Sequence, residues 1–399
     1  MNILIIPSWY PTTKNPINGI FIKEQSFAIA EENINKANVI IAKWDNDCSF
    51  LNFRRPYKLP EIIINYFSSK EEDIQITNNL FEYFTPTLAW THKLPFGGPY
   101  RIEKAIEKSF KRALLKFGNI DIIHAHVSYP AGYIACKLST KYNIPYVLTE
   151  HMSPFPFSSL IKHGKPIDEI IKAFNFAKRI IAVSKSLCNR IKSYNLKCTD
   201  IVPNFVDEKR FYILNKKREK FTFLTLCIIT EQKGIDLLLY SISNLEKNLK
   251  LNIDFLIGGD GPLLKEYQTL AKKLQINNVY WLGQVNREEV PTLFASCHAF
   301  VMPSRHETFG VVYAEAIASG LPVIATKCGG PEDIVNETNG ILIDKEDIEG
   351  LSYAIKYIYE NYHKYSAEKI RTDFENRFSK RVVISKIMKI YNEVVENYR

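Results

Sequence analysis

The residues of this chain best suited to chemistry lie in one stretch, residues 302–330, MPSRHETFGVVYAEAIASGLPVIATKCGG. Gly310 opens a run of good helix formers that ends at Gly320, with Pro322 two residues later, a glycine stop followed by a breaker. Thr308, Phe309, Gly310 and Val311 are therefore expected at a helix amino terminus, whose free N–H groups and positive dipole end favour an anion such as a diphosphate. Glu307 stands just before that anion site, and Glu315 lies inside the helix about 7 Å further along its axis. Carboxylates repel phosphate but accept hydrogen bonds from sugar hydroxyls. A diphosphate between two polyol-binding carboxylates describes a nucleotide sugar. The plainer alternative is two solvated glutamates near a helix cap.

Positioning such a site takes sheets and helices in alternation, and the chain has that pattern throughout. Short β-branched runs alternate with amphipathic segments of helical length, as in parallel sheets covered on both faces by helices. Strands are expected at 3–7, 39–43, 120–125, 146–149 and 180–184, then at 221–227, 253–257, 279–282, 299–302 and 323–325. The stretch 202–220, VPNFVDEKRFYILNKKREK, has a Pro-Asn turn and no clear period, and reads as a linker between two similar α/β lobes. From 379 to 399, Val382, Ile384, Ile387, Ile390, Tyr391 and Val394 recur at helical spacing, so a closing amphipathic helix is expected. The expected domains are 1–205, 206–378 and this helix at 379–399 returning to the first domain.

Composition narrows the function classes. The chain has 399 residues, 46% hydrophobic and 24% charged, enough apolar material for more than one core. No apolar run approaches the 18 or so residues of a spanning helix. The start, MNILIIPSWYP, lacks the features of a secretory leader, and a cytoplasmic protein is expected. The 7 cysteines are scattered with no C-x-x-C pair, so neither a disulfide framework nor a zinc ribbon is suggested. Net charge is +9, and all of the excess sits in residues 1–205, with 26 Lys/Arg against 17 Asp/Glu. One lobe therefore faces something anionic, such as a membrane surface, a nucleic acid or an acidic acceptor.

The pattern P-S-x-x-E-x-F-G-x-x-x-x-E-A, followed by G-x-P-V-I-A and G-G, resembles the signature of the retaining group 1 glycosyltransferases, family four, of the GT-B fold. Other segments resemble the family in order along nearly the whole chain. SWYPTTKNPINGIFIKEQ resembles the glycine loop, with Gly19 letting backbone approach donor phosphates. DIIHAHVSYPAG and VLTEHMSPF resemble acceptor-lobe strands, and His151 matches the histidine near the donor sugar. VPNFVD resembles the approach to the hinge, with Asn204 and Asp207 in family positions. GGDGPLL and NNVYWLGQV resemble the lining of the base pocket, which implicates Gly261, Gly283, Gln284 and Val285.

The sequence also departs from the family. The usual G-R-L-x-x-x-K-G is CIITEQKG here, so Lys233 is present but Ile228 stands at the arginine position. One of two charge-assisted phosphate contacts, each worth about 1.5–3 kcal/mol, is missing. Arg305 and Lys327 are candidates to replace it. Phe205 and Met152 stand where the family usually has glycine.

The resemblance implies two Rossmann-like doubly wound lobes facing across a cleft, retention of configuration, no metal and no cofactor beyond a nucleotide-sugar co-substrate. In this reading Glu307 orients the sugar hydroxyls, Glu315 grips the ribose and His151 bonds the transferred sugar. Lys233, the helix start at 308–311 and backbone at Gly19 stabilise the leaving diphosphate. The expected partners are a UDP-sugar, with GDP-sugar second, and a glycan or lipid-linked acceptor, as in assembly of a bacterial surface polysaccharide. Two alternatives stay open, a nucleotide-sugar epimerase of the same fold and a non-catalytic nucleotide-sugar-binding subunit.

Weaker signals complete the reading. Asp45-Asn46-Asp47 fits a D-x-D cation motif but equally an ordinary turn after a strand. His124 and His126 are read as facing opposite sides of their strand, which leaves them a polar cleft lining or core histidines rather than metal ligands. Residues 101–117 place Ile102, Ile106, Phe110, Ala113 and Phe117 at helical spacing among six cations, suiting either a bilayer surface or packing on the sheet. The aromatic and basic segments 50–60 and 87–100 favour peripheral contact with an anionic membrane. No nucleic-acid-binding signature accompanies the charge.

Overall fold

The computed structural model describes residues 1–44, 50, 51, 57, 59–90, 97–214, 217–248 and 252–398. Asp45, Asn46 and Asp47 lie outside the described residues. Two compact units form, one of Met1–Val183, Cys188–Val202 and Ile384–Arg399, the other of Ser184–Leu187 and Pro203–Val383.

The first unit is built on an eight-stranded sheet ordered Asp200–Ile201, Arg179–Ala182, Tyr146–Glu150, Ile122–His126, Asn2–Pro7, Asn38–Lys43, Leu80–Phe84, Glu72–Thr77. The ILII, VIIA and IIHA runs are wholly buried, as strands covered on both faces must be. One departure from an all-parallel sheet is the edge strand Glu72–Thr77, antiparallel to Leu80–Phe84. Its EDIQIT sequence is exposed along its length and carries no apolar run to announce it.

The second unit has a six-stranded parallel sheet ordered Val279–Gly283, Ile253–Gly258, Phe221–Leu226, Ala299–Met302, Val323–Thr326, Gly340–Ile343. Numbered along the unit this is 3-2-1-4-5-6, the order of a doubly wound nucleotide-binding sheet. The strand sequence reverses between Phe221–Leu226 and Ala299–Met302, and ligands of such sheets bind beyond the carboxyl ends at that switch point. Lys233 and Glu307 both follow these two strands.

The expected linker is instead packed. Val206 pairs with Ser379, Phe211 is buried, and the Arg371 guanidinium donates to the carbonyls of Glu208, Phe211 and Ala318. A cation surrounded by three carbonyls fixes a stretch that has no periodicity of its own. The closing helix, Lys380–Glu396, carries Tyr391 fully buried in the first unit, where its hydroxyl meets His124 Nδ1.

The helix Pro99–Phe117 resolves the two readings of residues 101–117. Ile102, Ile106, Phe110 and Ala113 are buried in the core of the first unit. Three of its six cations are ion-paired, Arg112 with Glu71 and Asp73, Lys108 with Glu71 and Lys111 with Glu107, while Arg101, Lys104 and Lys116 lie over the Trp90, Tyr100 and Phe81 rings. This helix packs its apolar stripe on the sheet, leaving Phe117 half-buried and Leu115 exposed. Among the described residues, no helix is long and apolar enough to cross a membrane.

Candidate active site

In the second unit, Glu231–Lys233 makes one 3-10 turn stopped by Gly234 at φ 66°. A Cβ on Gly234 would sit 2.1 Å from the Pro303 carbonyl, so only glycine lets the turn close on the loop after Ala299–Met302. The two loops are then stitched together. Arg305 N–H donates to the Gln232 carbonyl at 2.7 Å, and Gln232 Nε2 donates to the His306 carbonyl at 2.7 Å. At the end of this seam Lys233 Nζ donates to Glu307 Oε1 at 2.6 Å, and Ser304 Oγ donates to the same oxygen at 3.1 Å. Glu307 is buried, and this pairing satisfies a carboxylate that burial would otherwise penalise.

Glu307 is held from its other side by the Gly329-Gly330 loop. Its N–H donates to the Cys328 carbonyl at 3.2 Å, and Gly330 N–H donates to its carbonyl at 2.8 Å. A Cβ on Gly330 would stand 2.3 Å from Phe309 Cα, which explains the paired glycines. Gly310, at φ 87°, caps the helix Val311–Ala318, and Tyr313 anchors that helix by donating to the Met302 carbonyl at 2.8 Å. Thr308 and Phe309 are buried beside the helix start, and Glu315 is half-buried on the helix. The first-turn N–H groups of a helix have no acceptor within it, so Val311 opens the anion-suited terminus that the sequence predicts.

The segments expected to line a base pocket gather at the neighbouring strand ends. Ile229 N–H donates to the Asp260 carbonyl at 2.9 Å and Gly259 N–H to the Gly283 carbonyl at 2.7 Å. Gly261 lies so close to Ile229 that a Cβ would stand 2.3 Å from its carbonyl. Gln284 is exposed and Val285 half-buried beyond Gly283. Ile228, in the arginine position, is 57% exposed, an apolar side chain at the edge of a polar site.

Arg305 does not supply the missing charge. Nε and Nη2 donate to Glu346 at 2.8 and 3.1 Å, Nη1 and Nη2 to Asp236 at 2.9 and 2.7 Å, and Nη1 to the Glu231 carbonyl at 2.7 Å. All five N–H donors are used, and the two carboxylates push its pKa further up. Lys327 is paired with Asp344 at 2.9 Å. Asn204 is half-buried at the start of this unit, and Asp207 accepts from Lys209 N–H at 3.0 Å.

In the first unit, Gly19 at φ 66° caps the helix Ile20–Glu32, and a Cβ there would lie 2.3 Å from the Trp9 carbonyl. His126 and His151 come together, Nδ1 to Nε2, at 3.1 Å. His124 and His126 share one face, contrary to the opposite-face expectation, with ring centroids 4.0 Å apart. Residues two apart in a strand point the same way, which puts both rings on one side of the sheet. His124 Nε2 meets Thr149 Oγ1 at 2.7 Å. Burial pushes His124 and His151 down to about 3 and His126 well below its ordinary value, so all three are neutral. His126 Nε2 and His151 Nδ1 remain buried without a hydrogen-bond partner. The 3.1 Å contact needs one nitrogen as donor and the other as acceptor. The two outer nitrogens are therefore one donor and one acceptor, complementary to hydroxyl groups.

Glu150, which the sequence reading passed over, shapes this turn. Its fully buried carboxylate accepts from the N–H groups of Ser128 at 3.0 Å, His151 at 2.7 Å and Met152 at 2.9 Å. Burial raises its pKa against the opposing pull of these bonds. The visible signal is an acidic residue ending the otherwise apolar and hydroxylated run YVLTE. Among the described residues, no three His, Cys, Asp or Glu side chains are grouped to hold a metal ion.

Comparison with known proteins finds glycosyltransferases by sequence. Residues 206–381 match the family model for glycosyl transferases group 1, and residues 76–210 match glycosyltransferase family 4. An uncharacterized glycosyltransferase of Methanocaldococcus jannaschii is 29% identical over 76% of this chain and 84% of its own length. The Bacillus subtilis putative teichuronic acid biosynthesis glycosyltransferase TuaC is 26% identical over 91% of each chain. Among solved structures, sucrose-phosphate synthase from Thermosynechococcus elongatus superposes with TM-score 0.74 at 17% identity, covering all of both chains. Anabaena HepE in complex with UDP-glucose gives 0.65 at 18% identity, covering 98% of this chain and all of that one.

Proposed function

The chain belongs to the group 1 glycosyltransferases, family 4, with the GT-B fold, and from that premise we propose a specific reaction. It moves a hexose or N-acetylhexosamine, with retention and without a metal, from a nucleotide sugar to a hydroxyl of a glycan or lipid-linked glycan. UDP-sugar is the favoured donor, and the setting is assembly of a bacterial surface polysaccharide. The observation that carries this reading is the meeting of Lys233 and Glu307 at the switch point of the second sheet, beside the helix start at Val311. UDP-glucose bound in HepE and the putative role of TuaC in teichuronic acid biosynthesis support the donor and the setting.

In the proposed reaction Lys233 and the helix start take the charge that develops on the leaving diphosphate. Glu307 orients the sugar hydroxyls and Glu315 holds the ribose. His151 bonds the sugar through the outer nitrogen that the His126 contact leaves available, and Gly19 backbone approaches the phosphates. The acceptor hydroxyl attacks from the face of the departing phosphate and gives it its proton. The glycosidic bond forms as the sugar–phosphate bond breaks, and no protein nucleophile is needed.

Incubation with UDP-sugars and membrane extract, followed by NMR of the product anomer, tests this. An α-linked product from an α-linked donor is expected. An inverted product removes the same-face mechanism, and conversion of the donor sugar without any acceptor establishes the epimerase instead.

A further inference from the structure

The histidine pair of the first unit depends on a turn that its own sequence disfavours. Val127, between His126 and Ser128, is fully buried and has φ 75° and ψ 132°. A β-branched residue is a backbone outlier there, held only when the surroundings over-determine it. Here all four peptide groups that flank Val127 are taken. Ser8 N–H donates to the His126 carbonyl at 3.1 Å, and Val127 N–H donates to the Thr149 carbonyl at 2.7 Å. The Val127 carbonyl accepts from Gly132 N–H at 3.0 Å and from Ser8 Oγ at 3.4 Å. The fourth group, Ser128 N–H, donates to Glu150 Oε2 at 3.0 Å.

Among these partners, Glu150 also binds the second histidine turn. Its other oxygen, Oε1, accepts from His151 N–H at 2.7 Å and Met152 N–H at 2.9 Å. The strands Ile122–His126 and Tyr146–Glu150 pair as far as His126 opposite Thr149, and past that register position the carboxylate takes over from the ladder. One oxygen holds the turn after His126 and the other holds the turn that begins at His151. A carboxylate suits this task because both oxygens accept, whereas an amide would set its NH2 against one of the three N–H groups. Phe21, two residues after Gly19, has its ring 4.7 Å from that of His151, so the pair lies beside the glycine loop.

We propose that Glu150 is a positioning residue, whose carboxylate holds the Val127 turn and the His151 turn together and so fixes the His126–His151 pair for hydrogen bonding to hydroxyls of the transferred sugar. This rests on the reading of His151 as a sugar-bonding residue. Glu150 is itself fully buried and acts through the two imidazoles.

The test compares Glu150→Gln in wild-type and Val127→Gly backgrounds, using the full chain. NMR of isotope-labelled histidine reads the ring nitrogens with no donor present, calorimetry gives the UDP dissociation constant, and transfer from a UDP-sugar is measured with membrane extract. Wild-type His126 and His151 are expected as single neutral tautomers, one ring donating to the other. Glu150→Gln should mix the tautomers and lower turnover about ten-fold or more, with UDP affinity within about two-fold of wild type, because UDP carries no sugar for the pair to hold. In the Val127→Gly background the same change should cost about three-fold or less, since glycine takes φ 75° without help. Glu150→Asp, whose carboxylate is withdrawn by a methylene, should fall between wild type and Glu150→Gln, and it carries the test if the glutamine variant does not fold. Wild-type ring signals and turnover in Glu150→Gln would overturn the proposal. So would equal losses in the two backgrounds, or a loss of UDP affinity as large as the loss of turnover. Ring signals that change in Glu150→Gln while even the wild type transfers no sugar would remove the function reading and leave the positioning standing.

Discussion

Lys233 Nζ lies 2.6 Å from Glu307 Oε1, so the cation expected on the donor diphosphate neutralises the carboxylate expected on the donor sugar. A donor phosphate would compete with Glu307 for one ammonium group, and Ser304 Oγ, 3.1 Å from the same oxygen, would still serve Glu307 if the lysine turned to phosphate.

Glu307→Gln removes that competition. UDP affinity should stay equal to wild type or rise by up to about ten-fold, while turnover falls by about a hundred-fold or more, because the interaction lost is one made to the reacting sugar. Titration calorimetry with UDP beside initial-rate measurement separates the two. Unchanged turnover would take Glu307 out of the catalytic set.

The glycines that close the site should be as intolerant as the charged groups. Gly234→Ala places a Cβ 2.1 Å from the Pro303 carbonyl at a positive φ, and Gly330→Ala places one 2.3 Å from Phe309 Cα. Each should cost about 1–3 kcal/mol of stability and weaken UDP binding by moving Lys233 or Glu307. Gly118→Ala, at φ 78° with nothing near its Cβ, is the control for backbone strain alone. Chemical denaturation with a UDP titration of each variant measures both effects.

Acid should destabilise the first unit through its histidines. His124, His126 and His151 are held neutral well below the ordinary value of 6.5, so below about pH 6.5 the unfolded chain binds protons that the folded chain refuses. Their stability is present above 6.5 and is lost as pH falls toward about 3, with a limiting slope of about 1.4 kcal/mol per pH unit for each histidine. Glu150 acts oppositely, since its raised pKa favours the folded form at low pH and that contribution fades as pH rises. Three histidines outweigh one carboxyl between pH 7 and 5. Melting temperature should fall across that range, and less steeply in His126→Asn. A flat wild-type profile would contradict the neutral buried cluster.

Restoring charge at the departure point is the simplest gain-of-function test. Ile228 is 57% exposed, so arginine can enter without disturbing the core. With Arg305 saturated by Asp236 and Glu346, Ile228→Arg should tighten UDP binding by about ten-fold, as one charge-assisted phosphate contact does. No change in the UDP dissociation constant would place Ile228 away from the phosphates.

Much of the fold was legible because buried parallel strands advertise themselves as short apolar runs. ILII, VIIA and IIHA appear in the sequence much as they do in the sheet. In the two main sheets, Leu80–Phe84, Glu72–Thr77, Asp200–Ile201 and Gly340–Ile343 escape the pattern: LFEYF has no β-branched residue and a central glutamate, EDIQIT is exposed and mixed, Asp200–Ile201 has two residues, and Gly340–Ile343 is mostly half-buried. In the candidate site, residue types and spacing brought out Glu307, Glu315, Lys233 and the glycines. Pairings across long separations did not show. The Lys233–Glu307 contact spans 74 positions, and four of the five side-chain bonds of Arg305 go to Asp236 and Glu346, which no local pattern marks. The shared face of His124 and His126 follows from the two-residue strand period, against the opposite-face expectation.

The central claim, a nucleotide-sugar site in the second unit, is tested most directly by the thermal shift that UDP, GDP and NAD each produce in wild type and in Glu315→Ala. A ligand that binds the native state raises its melting temperature by mass action. UDP should raise the wild-type midpoint, NAD should not, and the UDP shift should shrink in Glu315→Ala. No shift with either UDP or GDP, or a UDP shift of the same size in Glu315→Ala, would contradict the assignment of that site.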